Sequence, residues 1–281
     1  MDFGTRSLIR YALAEDIGRG DITTNLVIDK DLTARAVVWV KESCCIAGLD
    51  VVEEVFREVN PSLTVRHWVQ DGQDVIGPKA VCEIFGPARS ILSAERTALN
   101  FLARMTGIAT KTREARLLLE GAGAKLLDTR KTTPGWRALE KRAVRMGGGM
   151  NHRFGLDDMV LIKDNHIALA GGVGLAIERV RQGCGIAPKI EVEVDNLDQL
   201  RIAVNHQVDM ILLDNMDLDT MRRAVEIVNR RIPLEASGNM TMERLVDVAR
   251  TGVDYISMGA LTHSATSIDV GLDVRFQAAN D

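Results

Sequence analysis

The chain has 281 residues, with 35 Lys and Arg against 39 Asp and Glu and a net charge of −4. Aromatic residues make up only 4%, too few for the successive exposed rings that bind single-stranded nucleic acid, and the mild acidity argues against non-specific binding to phosphate backbones. No apolar run reaches the roughly 18 residues of a membrane-spanning helix, and about 150 residues per domain gives two domains, each able to bury a core.

In chain order, the opening MDFGTRSLIRYALAEDIG turns acidic before any apolar stretch long enough for a signal peptide. Cys44, Cys45, Cys82 and Cys184 form no C-x-x-C, so neither a disulfide framework nor a zinc site is indicated. The expectation is a cytoplasmic protein with free thiols. Ala34–Val40 reads as a strand, Leu63–Val69 alternates, and Ala80–Phe85 follows a Gly-Pro turn, with Asp71-Gly72 and Gly77-Pro78 as punctuation. A long helix follows over roughly Ser90–Glu120, with Leu92, Leu99, Leu102 and Met105 at helical spacing and Gly107 as a bend. From about residue 124 strands and helices alternate. Apolar runs at Lys125–Asp128, Met159–Lys163, Ile190–Val194, Met210–Asp214, Pro233–Ser237 and Tyr255–Met258 are separated by amphipathic segments such as Asp217–Arg230 and Thr241–Thr251. This pattern implies a parallel α/β sheet with right-handed crossovers. Six units fit either an open doubly wound sheet or a reduced barrel.

Each run ends in functional groups: Asp128-Thr129-Arg130-Lys131, Lys163-Asp164-Asn165-His166, Glu193, Asp214-Asn215, Ser237-Gly238-Asn239 and Ser257-Met258-Gly259. Parallel α/β folds bind ligands at the carboxyl ends of their strands, which places a site there. Between Arg130 and His166 stand eight Lys or Arg against four acids, a local excess suited to carboxylate or phosphate. Arg130, Lys131 and Lys163 stand at strand ends; Arg137, Lys141, Arg142 and Arg145 fit a solvated helix face equally well. Glu191 and Glu193 share one strand face, and Glu193 is the nearer to the rim. Glu193 with Asp214 can hydrogen-bond sugar hydroxyls, hold Mg²⁺, stabilise a cationic transition state, or simply form an ion pair with Lys131 or Lys163. The small residues at Ser237-Gly238-Asn239 and Met258-Gly259 precede helix starts whose backbone N–H groups can grip phosphate. Gly147-Gly148-Gly149 either ends a helix or lets Asn151, His152 and Arg153 turn inward. Arg19-Gly20-Asp21 is an accidental tripeptide and Asp157-Asp158 a turn, and no Walker loop or G-x-G-x-x-G is present.

DTRKTTPGWRALEKRAVRMGGGMNHRFGLDD (Asp128–Asp158), LIKDNH (Leu161–His166), IEVEVDN (Ile190–Asn196), ILLDNM (Ile211–Met216), EASGN (Glu235–Asn239) and ISMGALTHS (Ile256–Ser264) closely resemble the quinolinate phosphoribosyltransferase family. AEDIGRGDITT (Ala14–Thr24) and SAERTALNFL (Ser93–Leu102) match its N-terminal part, so the resemblance runs through nearly the whole chain. It implies a mixed α/β N-terminal domain over 1–108, an incomplete, about six-stranded TIM-like α/β barrel over 109–268, and a segment 269–281 returning to the first domain. It also implies a homodimer or an assembly of dimers, acting on quinolinate and 5-phosphoribosyl 1-diphosphate (PRPP) with Mg²⁺. By the resemblance, Arg130, His152, Arg153 and Lys163, with Thr129, surround the quinolinate carboxylates, and Arg96 comes from the neighbouring subunit. Lys131 contacts the donor, Glu193 and Asp214 its ribose and metal, and Ser237, Gly238, Asn239, Met258 and Gly259 its 5-phosphate. Lys131, Glu193 and Asp214 are the catalytic candidates, and Lys41 is a looser match to a cross-subunit phosphate contact. Other readings are a relative using another acceptor, a Schiff-base Lys163 in an aldolase-like barrel, and a non-catalytic phosphosugar-binding module.

Overall fold

A computed structural model describes residues 1–275. Its strands in chain order are β1 (Thr33–Val40), β2 (Cys44–Cys45), β3 (Thr64–His67), β4 (Asp74–Val75), β5 (Lys79–Pro87), β6 (Lys125–Leu127), β7 (Val160–Ile162), β8 (Ile190–Val194), β9 (Met210–Asp214), β10 (Leu234–Ser237), β11 (Tyr255–Ser257) and β12 (Val270–Arg275). The chain divides into two compact units, one of Met1–Arg113, Thr133–Gly148 and Ala265–Asp281, the other of Glu114–Thr132 and Gly149–Ser264. Thr133–Gly148, which the sequence reading put within 109–268, belongs by its contacts to the first unit.

In the first unit an antiparallel sheet runs in the order β12-β1-β5-β3. Strand β12 pairs along the whole of Arg35–Val40, so the chain does come back to this unit after residue 269; the last part of that expected segment, 276–281, lies outside the described residues. Helix Leu49–Val59 buries Leu49, Val51, Val52, Val55 and Phe56. Its outer face forms ion pairs with the first helix, Phe3–Ile17, through Arg6–Glu54 and Arg10–Glu58. No side chain of its own caps that helix; Asp71 does so from a distance, accepting from the N–H groups of Gly48 (2.9 Å) and Leu49 (3.0 Å) and so satisfying donors that every helix start leaves open. Asp2 and Asp21 cap the first two helices directly, as short acceptors do.

The long helix spans Ala88–Leu118 without a break, so Gly107 is not a bend. Its role is close approach: a Cβ there would lie 1.9 Å from the carbonyl oxygen of Thr266. A further brace joins the ends of this unit. Glu140, fully buried, takes Arg104 at 2.8 Å together with the N–H and hydroxyl of Thr133, while Arg104 also donates to Ala265 O.

The second unit is a six-stranded, all-parallel sheet in the order β6-β11-β10-β9-β8-β7. All six strands fall within a residue or two of the apolar runs read from the sequence. The order decides between the two folds left open. Each strand lies beside its sequence neighbour, and β6 joins β11, so the strands follow one another around a ring with a single open seam between β6 and β7. That is an incomplete barrel, not a doubly wound sheet. On one sheet face Val192, Val194, Ile211, Leu213, Ala236 and Ile256 are all fully buried, the layer that helices such as Leu197–Asn205 and Met242–Ala249 cover on β8 and β11. At the seam, Met150 runs parallel to the free edge of β6, its N–H bonding Leu126 O and its carbonyl taking the Asp128 N–H.

The Gly107 contact yields a test. Alanine is the better helix former by about 1 kcal/mol, yet here its methyl would drive into a backbone carbonyl that cannot rotate away. Gly107→Ala is expected to lower stability by about 1–3 kcal/mol, read from urea unfolding; an unchanged or higher midpoint would contradict this packing.

Candidate active site

Parallel pairing puts the carboxyl ends of all six strands on one edge, and the register fixes which side chains share a face. Glu193 stands opposite Leu212, Glu235 opposite Leu212, and Ser237 opposite Asp214. With a side-chain period of two, Glu191, Glu193, Asp214, Glu235 and Ser237 all project from the face opposite the buried apolar layer. Leu161 pairs with Glu191, which brings Lys163, two residues on, to the same side. The barrel interior is therefore lined with charge, and its rim is one site.

At that rim the Lys163 Nζ donates to Glu193 Oε2 at 2.6 Å, with the Glu193 side chain only 7% exposed and Lys163 45%. This is the ion pair weighed from sequence, formed where a ligand could still meet the lysine. Lys163 also starts helix Asp164–Ala170, where its N–H donates to His166 Nδ1 (2.9 Å). His166 thus closes the strand end. Asp214 takes the Asn215 amide at 2.8 Å. Asn215 in turn receives Asn239 Nδ2 (3.1 Å) and donates its N–H to Ser237 O. Gly238, at φ +91°, is required: a Cβ would fall 2.2 Å from Asn215 Oδ1 and 2.9 Å from Asn215 N. The ends of β9 and β10 are thereby locked together.

Lys131 is exposed, its N–H donating to Thr129 Oγ1 (3.0 Å) and its carbonyl accepting from Thr262 Oγ1 (2.7 Å). Its aliphatic stem passes over the Met258-Gly259 turn, where a Cβ on Gly259 would meet Lys131 Cδ at 2.9 Å. Lys131 and the Met258-Gly259 turn, far apart in the sequence, thus touch.

Arg130 and Arg153 form the cationic wall. Arg153 is 8% exposed and donates to Met159 O at 3.0 Å. Burial and the nearby charge of Arg130 both draw its pKa below the usual guanidinium value. The Arg130 Nε is buried with no hydrogen-bond partner. Two guanidinium groups close enough to repel, one with an unused donor, make a receptor for an anion.

His152 is held by contacts beneath the rim. Its ring sits inward of the rim, with Nε2 2.9 Å from Glu191 Oε2 and 3.4 Å from Glu235 Oε2. Its N–H donates to Asp128 Oδ1 (2.9 Å), and Asn151 Nδ2 donates to Asp128 Oδ2 (2.6 Å). Burial would lower the His152 pKa, but Glu191 and Glu235 carry it upward. Burial pushes the Glu191 carboxyl up, against the pull of the His152 hydrogen bond and with the added repulsion of Glu235. Ring and acid therefore compete for a proton.

Arg137, Lys141, Arg142 and Arg145 lie on helix Arg137–Met146, within the first unit. Arg142 pairs with Asp50 and Asp71, and Lys141 is 3% exposed. Part of the positive excess counted along the sequence is thus structural. Lys41 pairs with Asp269 at 3.1 Å. Arg96 is exposed on the long helix. The glycine run serves both readings: Gly147 follows the helix end, pressed against Ala109 O and Thr112, and the chain then runs along β6 toward Asn151. The sequence reading placed Glu191 on the face of Glu193 but favoured Glu193 as nearer the rim, and it passed over Glu235, whose place beside them depends on β10 pairing with β9.

An incomplete parallel α/β barrel with cations, carboxylates and glycine turns on its carboxyl-end rim defines an enzyme of the phosphoribosyl-transfer type. The chain belongs to the quinolinate phosphoribosyl transferase family, whose N-terminal domain model matches residues 21–106 and whose C-terminal domain model matches 108–273. It is 42% identical over 269 residues to the probable nicotinate-nucleotide pyrophosphorylase (carboxylating) of Bacillus subtilis strain 168, covering 96% of this chain and 93% of that one. It is 40% identical over 297 residues to quinolinate phosphoribosyltransferase (decarboxylating) 2b, mitochondrial, of Nicotiana tabacum, covering 99% and 84%. The crystal structure of NadC from Streptococcus pyogenes superposes with a TM-score of 0.94 at 38% identity over 98% of this chain and 99% of that one.

The lock between β9 and β10 is open to test. Gly238→Ala forces a left-handed backbone on a residue with a side chain, at about 1–2 kcal/mol, and strikes Asn215 besides. It is expected to destabilise the protein in a thermal melt and to disorder the Asp214–Asn215 turn. A variant that melts like the parent and keeps the Asn215 amide resonances in place would refute the lock.

Proposed function

We propose that the protein joins quinolinate to PRPP, releasing diphosphate and CO₂ and forming nicotinate mononucleotide in NAD biosynthesis. One observation carries this best: the Arg130–Arg153 pair, with its buried unpartnered Nε, stands on the same rim as the Lys163–Glu193 pair and the Asp214–Ser237 lock. A dicarboxylate needs several cations at once, and a phosphoribosyl donor needs carboxylates near its ribose with glycine turns at its phosphate. The two descriptions used for the relatives, carboxylating and decarboxylating, name opposite directions of one balanced reaction.

The chemistry follows from alignment and charge. The pyridine nitrogen attacks C1 of the ribose as the bond to diphosphate breaks, and positive charge develops on the sugar. Glu193 and Asp214, on adjacent strands and one face, favour that charge. Lys131 over the Gly259 turn meets the donor's phosphates, and the Ser237-Gly238-Asn239 and Met258-Gly259 turns take the 5-phosphate. Arg130, Arg153 and Lys163, with Thr129 alongside, hold the acceptor carboxylates, so nucleophile and carbon meet with little further ordering. Once the ring nitrogen is cationic, the C2–carboxylate bond breaks, its electron pair stays on C2 beside that nitrogen, CO₂ leaves, and C2 takes up a proton.

Mg²⁺ fits the donor set. Glu193 and Asp214 each have one oxygen engaged by a protein donor, Lys163 or Asn215, and carboxylates that share a hard cation with a diphosphate substrate suit Mg²⁺. Bound there, it would neutralise the leaving diphosphate. Chelation is expected to abolish turnover and added Mg²⁺ to restore it.

The reading extends to a cytoplasmic homodimer with Arg96 reaching the neighbour's site. Four free cysteines, three of them buried, support a reducing compartment, and the exposure of Arg96 leaves it available in trans. Mixing inactive Arg96→Ala and Lys131→Ala proteins should regenerate activity through hybrid dimers with one intact site; no recovery after subunit exchange would place Arg96 elsewhere.

The central test supplies purified protein with PRPP and Mg²⁺ and either quinolinate or nicotinate, then quantifies nicotinate mononucleotide and CO₂. Product and CO₂ from quinolinate alone are expected. Lys131→Ala and Arg153→Ala should each lose at least roughly 100-fold in kcat/KM, as when a charge-assisted contact leaves a closed site. Near-parental turnover in either folded variant would remove that residue's role.

A further inference from the structure

Below the rim lies a group of charges that the reaction above does not use. Glu191 and Glu235 are 0% and 1% exposed, Glu191 two residues before Glu193 and Glu235 two before Ser237 on the same sheet face. Burying two carboxylates side by side is strongly unfavourable unless something compensates. Glu191 Oε1 and Glu235 Oε2 have no hydrogen-bond partner. The group that faces both acids is the His152 ring.

The ring's other nitrogen decides what this cluster is. His152 Nδ1 accepts the backbone N–H of Arg153 at 2.7 Å; the two acids favour a charged ring, but a proton on Nδ1 would meet that N–H head to head, so the ring's proton sits on Nε2, pointing at the acids. One ligand atom from each of His152, Glu191 and Glu235 lies within 4.8 Å of the others, a spacing that a metal ion could bridge. A neutral histidine gives Nε2 to a metal only when its proton is on Nδ1, and the Arg153 N–H occupies that position. The geometry selects a hydrogen-bonded clamp.

The clamp reaches far. Through Asp128 the Asn151–Arg153 stretch is tied to β6, through Glu191 to β8, through Glu235 to β10, and through the bond from Arg153 to Met159 O to the approach of β7. Four of the six strands converge on three residues, and the last of these carries a guanidinium of the cationic wall.

We propose that Glu191 and Glu235 are positioning residues: Glu191 by accepting the His152 Nε2–H and Glu235 by setting its charge beside the same N–H, they fix the ring whose Nδ1 orients Arg153, and so set how that guanidinium meets the acceptor's carboxylates. The proposal rests on the reading that Arg153 binds a dicarboxylic pyridine. It separates acceptor from donor, since Lys131 and the glycine turns are held by other contacts.

Two measurements test it. In ¹⁵N-histidine-labelled protein without substrate, the His152 resonances, assigned by loss in His152→Gln, should show Nε2–H and an unprotonated Nδ1. In steady-state kinetics, Glu191→Met, which fills the space but removes the acceptor, should raise the KM for quinolinate about 10-fold or more, since small displacements of a positioning group are costly. The KM for PRPP should stay within about twofold. Glu191→Gln, which keeps an acceptor oxygen, should recover most of the loss, and Glu235→Met, the longer contact, should give a smaller change of the same kind. An Nδ1–H tautomer, a stoichiometric metal on the purified protein, equal rises in both KM values, or a fall in kcat alone would overturn the proposal. A parent enzyme silent toward quinolinate would remove the functional reading and the proposal with it; an active parent whose Glu191→Met variant keeps its quinolinate KM would overturn the proposal alone.

Discussion

Buried carboxylates on the inner face of a parallel sheet are the constraint on which the rest of this unit depends. Glu191, Glu193 and Glu235 have side chains no more than 7% exposed, and an uncompensated charge in such a place costs several kcal/mol. Each acid therefore dictates a neighbour. Glu193 holds Lys163 at 2.6 Å, which fixes the end of β7 against the end of β8. Glu191 and Glu235 require His152 between them, which draws the chain after Met150 across the open seam. The incomplete barrel is closed on its inside by charge pairing where backbone pairing stops.

The same accounting of charge explains why the rim is poised for ligand. Arg130 and Arg153 repel, and both have been partly removed from water. On the proposed reading, a dicarboxylate bound there would relieve the repulsion and use the idle Arg130 donor, completing a set of charges that the protein leaves unbalanced.

Much of this was legible in the sequence, and the limits are physical. The six strands, the long helix and the rim were readable because periodicity and strand-end chemistry are local: MILLD and IEVEV show their faces by alternation alone. The barrel was not, because ring closure depends on β6 pairing with β11, about 130 residues away, and no local pattern encodes that. Gly107 looked like a bend because a glycine in a helix usually weakens it; its real reason is a carbonyl from Thr266, distant in sequence. The cations of Arg137–Met146 looked alike in composition, and only tertiary contacts divide Arg142, matched by Asp50 and Asp71, from Arg130, which is left for ligand.

His152 shows how much of a motif residue's setting only the fold supplies. Asn151, His152 and Arg153 are adjacent, so a linear reading can only turn the three inward together. In the fold the imidazole and the guanidinium point to different layers: the ring goes down to Glu191 and Glu235, and Arg153 stays beside Arg130. A segment leaving a glycine turn has to pair its own N–H groups once they are buried. Asp128 and the His152 ring pair those of His152 and Arg153, which holds the backbone that carries Arg153 beside Arg130. The motif thus joins an arginine of the cationic wall to the contacts that support it.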